Sequence, residues 1–284
     1  MSTNYPPVAI LIPTYKQSIW IRKAVESALG QDYPNKVIWV LDDASPDNTQ
    51  LVLQDWISSG TIQYIRAEQN IGRVANYRRG LHAAEGADWV INLDGDDYFT
   101  NPQFISIAVA RIQAIRDKAV LFYQGVNLYG GDVASARLIA PQMKEEEKQI
   151  TGRDYILHYF KRNAFSHLAT LYRRDFAMQV GFYQQDILST DLDSMLRLCF
   201  QFPDGQVIVS KEVAGLWVQH PANASRIADW KSLWVNQQLF PRLAKRMLSA
   251  GWSKPDVLRW KRQSYQHFWC MFLGNRLRKW GIRS

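Results

Sequence analysis

Val8-Ala9-Ile10-Leu11-Ile12-Pro13-Thr14-Tyr15 runs five apolar residues together, stops them at a proline and turns polar. An unbroken apolar run of this length, without alternation, is the pattern of a strand covered on both faces. Outward from it, Ser18 is positioned to cap a helix whose Ile21, Ala24, Val25, Ala28 and Leu29 recur at helical spacing, and Tyr33-Pro34 ends it. Val37 to Leu41 reads as a second buried strand, Asp47 to Ile57 as a helix closed by Ser58-Ser59-Gly60, and Ile62 to Ile65 as a third strand. Arg73 to Ala84 reads as a helix, Trp89 to Leu93 as a fourth strand, and Asn101-Pro102 as the start of another helix. Ala119 to Tyr123 is a fifth strand. Alternation of this kind predicts an α/β fold, a Rossmann-like, mostly parallel sheet with helices on both faces. Ligands of such sheets sit at the carboxyl ends of the strands.

After Tyr123 the rhythm breaks. Gly130-Gly131 and the charged run Lys144 to Lys148 read as loop. Helices are expected near Arg153 to Phe160 and Leu192 to Phe202, strands near His167 to Tyr172 and Gln206 to Val209, and a helical extension from Ile227. The domain reading is one catalytic domain over 1–225, with a nucleotide half at 1–125 and an acceptor half at 126–225, followed by a basic, aromatic extension at 226–284.

Composition narrows the class. The 284 residues are 47% hydrophobic and 21% charged, which excludes disorder along the whole chain. Cys199 and Cys270 lie far apart in apolar helical patterns, so neither a zinc spacing nor a disulfide framework is present, and a reducing compartment fits. No apolar signal core follows Met1 to Pro7 and no apolar run reaches the ~20 residues of a membrane span. The expected location is cytoplasmic, with any membrane contact peripheral.

Three features directly follow strands: Pro13-Thr14-Tyr15, Asp42-Asp43-Ala44-Ser45 and Asp94-Gly95-Asp96-Asp97. Three carboxylates within four residues repel one another on a turn unless a counter-ion is present. Mg²⁺ or Mn²⁺ suits that need, taking one or two carboxylates together with substrate phosphates. Asp and Gly are also ordinary turn formers, but here the acids recur at the same end of one sheet. Asp42 or Asp43 is placed to accept hydrogen bonds from a base N–H or a ribose hydroxyl.

These segments resemble the family-2 glycosyltransferases of the GT-A fold. The resemblance rests on Ile12-Pro13-Thr14-Tyr15, the run Leu41 to Thr49, Asn70-x-Gly72 with Asn76 beyond, and Leu93-Asp94-Gly95-Asp96-Asp97. It is tight over the first half and loose over the second. It implies a nucleotide-diphosphate sugar as donor, with Pro13, Tyr15 and Asp43 at the base and Asp94 or Asp96 at the ribose. It also places Asp96 and Asp97 at a metal that bridges the diphosphate. Thr14, Asn70 and Arg73 complete the expected nucleotide site, Arg73 lying where it can reach phosphate. Lys16 stands where the family often has Asn, and Ala44 where it often has Gly.

Inverting sugar transfer requires a base for the acceptor hydroxyl and charge neutralisation at the leaving diphosphate. The resemblance places that base as an Asp opening a helix in the second half. Ser189-Thr190-Asp191-Leu192-Asp193 fits, with Asp191 preferred, Asp193 behind it, and helix capping as the competing role. Further on, His220-Pro221-Ala222-Asn223-Ala224-Ser225 resembles the family's H-x-x-N-x-S segment. His220 is read as a third metal ligand or a donor to the diphosphate, against the structural role of an ordinary lone histidine, and Asn223 and Ser225 as donors to phosphate. Arg78 and Arg79 are read as a solvated helix face, and His158 and His167 as structural.

From Pro241 on, eleven Lys and Arg face the single acid Asp256, within a net charge of +8. That asymmetry implies an acidic partner. Val257, Trp260, Tyr265, Phe268, Met271 and Phe272 form one helical stripe, which either packs on the catalytic domain or lies on anionic lipid. No nucleic-acid module accompanies the charge, and acids at strand ends would repel nucleic-acid phosphate without metal, so nucleic acid is not an expected partner. A nucleotidyltransferase is the closer rival, but the Gly-rich basic loop usual after its first strand is missing. The Gln-x-x-Arg-Trp signature of processive synthases is missing too. The expected enzyme transfers one sugar, most readily from a UDP-sugar, to a glycan or lipid-linked acceptor, with Mn²⁺ or Mg²⁺.

Overall fold

In the computed structural model, the described residues are 5–115, 119–139, 147–162, 165–221, 223 and 230–279. The strands are β1 Val8–Thr14, β2 Lys36–Asp42, β3 Gln63–Arg66, β4 Trp89–Asn92, β5 Tyr98–Phe99, β6 Val120–Gly130, β7 Arg137–Ile139, β8 Glu147–Thr151, β9 Thr170–Arg173 and β10 Gln206–Val218. The helices are α1 Ile21–Leu29, α2 Thr49–Val52, α3 Gln54–Ser58, α4 Arg73–Ala83, α5 Phe104–Ala114, α6 Gly152–Arg162, α7 Arg174–Val180, α8 Thr190–Gln201, α9 Trp230–Gln237, α10 Leu239–Ser249 and α11 Lys254–Lys279. One sheet runs β3-β2-β1-β4-β9-β6-β10-β5, with β7 paired to β6 and β8 to β10.

Every residue of β1 is buried, as its unbroken apolar run requires. Ala9 and Leu11 face a core shared with Val74, Tyr77 and Leu81 of α4. Val8, Ile10 and Ile12 face the opposite core with Ile21, Ala24 and Val25 of α1. The strand period of two thus distributes one segment between two helical layers. The block β3-β2-β1-β4 is parallel. Beyond it β9 lies antiparallel to both β4 and β6, while β6 and β10 pair in parallel. The mostly parallel order expected thus holds through β3-β2-β1-β4, while the remainder of the sheet is mixed. Apolar runs report burial, not direction, and β9 reverses the order.

Several boundaries differ from expectation for local reasons. Ser18 does not cap α1; its N–H donates to Asp47 Oδ2 and the helix starts after Trp20. Asn101 Oδ1 accepts from Gln103 N–H, and α5 begins at Phe104. The single helix expected over 47–57 is divided at Leu53 into α2 and α3. β6 runs past Tyr123 to Gly130, so the expected boundary at 125 falls inside a strand. Part of the Lys144 to Lys148 run lies outside the described residues, and the rest opens β8.

The aromatic stripe of the extension turns inward. Val257 and Trp260 are buried, and Tyr265 and Phe268 pack against the same core as Met195, Cys199 and Phe200 of α8. The side chains of Met271 and Phe272 lie outside the described set. Burying an aromatic such as Trp260 contributes roughly 2–3 kcal/mol, so α11 adds to the stability of the core it shares with α8. No helix among the described residues is long and apolar enough to cross a membrane.

Candidate active site

A cleft of about 620 Å³ opens at the carboxyl ends of β1, β2 and β4. Pro13, Thr14, Tyr15, Asp43, Asn70, Arg73, Asp94, Asp96, Asp97, Asp191 and Asn223 all line it. The two acids ending β2 separate sharply. Asp42 points into the fold, accepting from Tyr64 Oη (2.5 Å), the Arg66 guanidinium (2.6 Å) and Ser45 N–H (2.8 Å). Asp43 lines the cleft and accepts from Ile71 N–H at 2.8 Å and Gly72 N–H at 2.9 Å. That bidentate grip holds the Asn70–Gly72 turn, where Gly72 has φ 87°. A carboxylate has about four lone-pair sites, so Asp43 can still accept from a ligand.

Two residues that depart from the family's habits sit in left-handed backbone: Lys16 at φ 56° and Ala44 at φ 58°. Asn and Gly adopt that region at less cost, and each side chain here stores roughly 1 kcal/mol of strain. The turns brace each other, Lys16 N–H donating to Ser45 Oγ at 3.0 Å. Arg79, expected on a solvated face, instead donates to Asp42 O, Ile65 O and Asn76 Oδ1 and fastens α4 beneath the cleft.

The acidic turn is compact. A Cβ at Gly95 would stand 2.5 Å from Gln17 Oε1, so any larger residue would have to displace the Gln17 side chain. Asp94 Oδ1 accepts from Tyr77 Oη at 2.8 Å. Its pKa is pushed up to about 6 by burial first and by Asp96 next, with the Tyr77 bond opposing. Asp97 is buried and turned to the backbone, accepting from Val218 N–H at 2.9 Å. Burial, then Asp96 and Asp94, raise its pKa well above the usual carboxylate range. Asp96 Oδ2 lies 2.8 Å from His220 Nε2. His220 stacks on Trp20 at 4.2 Å, its N–H donates to Asn223 Oδ1, and its Nδ1 is buried with no partner among the described residues.

One carboxylate oxygen beside one imidazole nitrogen is a mixed donor pair that suits Mn²⁺. Among the described residues no group of three or more His, Cys, Asp or Glu is arranged around a common point, so a cation here needs further oxygens from its substrate. Ser225 lies outside the described residues.

Asp191 stands in the first turn of α8 and lines the same cleft, where its charge acts on Asp94 and Arg73. Asp193 does not; it pairs with Arg197 at 2.8 Å, both side chains at least 95% buried. Arg73 donates to Ile187 O and Leu188 O at 3.1 Å and so ties α4 to the loop before α8. Burial opposes the Arg73 charge, but Tyr77, Asp191 and Asp94 around it prevail and raise its pKa.

His167 also lines the cleft, a position the sequence did not reveal. Its Nε2 meets Tyr183 Oη at 3.3 Å, and its ring is edged by Tyr77 and Phe165. Burial lowers its pKa to about 4, so the ring is neutral at ordinary pH. The unfolded chain takes up this proton below pH 6.5, whereas the native site resists until about pH 4. His167 therefore withdraws up to about 3 kcal/mol of stability as the pH falls through that window. Urea unfolding of wild type and His167→Gln across the window checks this: the variant loses that part of the decline. Equal pH slopes for the two proteins refute it.

The sequence profile described as Glycosyl transferase family 2 matches residues 9–181 of the 284. The chain belongs to glycosyltransferase family 2. An uncharacterized glycosyltransferase of Mycoplasma genitalium is 31% identical over 191 residues, 64% of this chain and 63% of that protein. The GalNAc(5)-diNAcBac-PP-undecaprenol beta-1,3-glucosyltransferase of Campylobacter jejuni is 24% identical over 163 residues, 57% of this chain and 51% of its own length. Among solved structures, S. aureus TarS in complex with UDP-GlcNAc superposes with a TM-score of 0.69 at 19% identity, covering 88% of this chain and 69% of that one. The mannosyltransferase PcManGT of Pyrobaculum calidifontis, with GDP-Man and Mn²⁺, gives 0.59 at 16% identity, covering 98% and 84%. These likenesses establish a mixed α/β architecture of the GT-A type, as the family resemblance implied.

Tyr77, Trp20 and His167 were missed because each reaches the site through tertiary packing. Tyr77 lies on the buried side of α4, where a tyrosine reads only as core.

Proposed function

We propose that this family-2 glycosyltransferase moves a single sugar from a nucleotide-diphosphate donor, UDP-sugar in the first instance, to a hydroxyl of a glycan or lipid-linked acceptor. The observation that carries the reading is a single cleft lined both by Asp96, which lies 2.8 Å from His220 Nε2, and by Asp191. Asp191 takes the proton from the acceptor hydroxyl. The oxygen attacks the anomeric carbon from the face opposite the leaving group, the anomeric carbon–oxygen bond breaks, and the nucleoside diphosphate departs with inversion. Pro13, Thr14, Tyr15, Asp43 and Asn70 receive the nucleoside, with Asp94 near the ribose. Arg73 lies toward the diphosphate, and Asn223 and Ser225 donate to it.

Asp96 and His220 would hold Mn²⁺ or Mg²⁺ with Asp97 behind them. The cation would supply charge neutralisation at the leaving diphosphate. The nucleotide sugars bound by TarS and PcManGT, the Mn²⁺ of PcManGT, and the polyprenyl-linked substrate in the name of the Campylobacter relative support this reading. The cytoplasmic side of a membrane is the location that fits a lipid-linked acceptor.

Isothermal titration with UDP, GDP, ADP, CDP and dTDP, each with and without Mn²⁺, tests it. One nucleotide binding tightly only with metal is the expected result. If none binds under either condition, the acidic turn is structural and the reading falls.

A further inference from the structure

The inward packing of the aromatic stripe leaves α11 with a second, outward face. Leu258 is 56% and Trp269 37% exposed, although both are large apolar residues. At 100° per residue, Leu258, Arg262 and Trp269 fall within about 40° of one another on the helix, opposite the buried Val257, Trp260 and Ser264. Lys254, Arg259 and Arg262 are exposed around the two apolar side chains, and α10 adds exposed Lys245 and Arg246. The lone acid of the region, Asp256, is engaged by Ser253 and by Arg153.

A basic helix face carrying a leucine and a tryptophan has a specific physical match. Tryptophan and leucine enter the headgroup–acyl boundary, while arginine and lysine stay at the level of anionic headgroups. A duplex polynucleotide would satisfy the cations but offers Leu258 no apolar phase to enter. We propose that the outer face of α11, anchored by Leu258 and Trp269 and ringed by Lys254, Arg259 and Arg262, docks on an anionic phospholipid surface. Each cation near such a surface multiplies partitioning about five-fold, and salt screens it.

The test uses the full chain, because removing α11 would uncover the core around Phe240 and Met247. Co-sedimentation is measured with sucrose-loaded vesicles of phosphatidylcholine alone and of phosphatidylcholine mixed with phosphatidylglycerol, at low and high salt. Binding to the mixed vesicles only, released by salt, is expected. The double variant Arg259→Gln/Arg262→Gln should then partition about 25-fold more weakly. Leu258→Ser, at an exposed position, should also weaken binding and make the remainder more salt-sensitive. Thermal melts coincident with wild type keep both comparisons about the surface. Failure to sediment with the mixed vesicles at low salt overturns the proposal, as does wild-type partitioning by both variants. Binding of a duplex oligonucleotide with the vesicles ignored assigns the face to nucleic acid and overturns it as well.

Discussion

Asp191→Asn should lower the rate of sugar transfer about 10²- to 10⁴-fold, the usual contribution of a positioned general base, with nucleotide affinity unchanged. The substitution keeps the side chain's shape and removes only its capacity to take a proton. The base and ribose contacts are assigned to Asp43 and the acidic turn, and Asp191 makes none of them, so the titration curve with metal and nucleotide should stay close to that of wild type. The matched variant is Asp193→Asn. Asp193 pairs with Arg197 under the C-terminal helices, and disturbing a buried ion pair from one side costs up to roughly 3–5 kcal/mol. That variant should lose melting temperature before it loses chemistry. Wild-type kcat in Asp191→Asn would remove Asp191 from the reaction, whatever the behaviour of Asp193.

The second large effect belongs to Asp96. Asp96→Asn should lose the metal-dependent part of nucleotide binding, and transfer should fall by about 10²- to 10³-fold, comparable with removing one charge-stabilising group elsewhere. Chelation of divalent ions should bring the wild type to the same level, while the variant is indifferent to chelator. The same substitution should raise the melting temperature of the ligand-free protein, because Asp96 is a cause of the raised pKa of both Asp94 and Asp97. Higher stability with lower function is the signature of a site whose charges are held against their own repulsion. A variant that binds nucleotide with undiminished metal dependence, and melts no higher, excludes Asp96 from both roles.

The parallel half of the fold was legible because its signals are long. β1, β2 and β4 are continuous apolar runs, and α1 and α4 carry helical periodicity. β5 is two residues and α7 seven, too short for either pattern to register. The direction of β9 depends on which strands flank it, and a strand's own residues do not encode that. At the site, the acids were visible as clusters, but their division of labour was not. Asp42 and Asp43 are adjacent and chemically identical, and only the alternation of β2 sends the first to Tyr64 and Arg66 and the second to the cleft. His167 and Trp20 carry no local pattern at all. Their significance comes from what stands beside them after folding.

The position of β10 has a consequence for how the chain comes to be folded during synthesis. β10 lies between β6 and β5 and also takes β8, yet among the described residues it is the last strand to be made. Until residue 218 has emerged, one edge of the eleven-residue β6 has no partner along the register that β10 later occupies. Unpaired apolar edges of this length are templates for association between chains. A ribosome pausing between β9 and β10 would hold the chain with that edge of β6, and β5 as well, still without the strand that pairs them. Late closure by a distant strand also slows folding, since the intervening loop must be ordered before the pairing repays it.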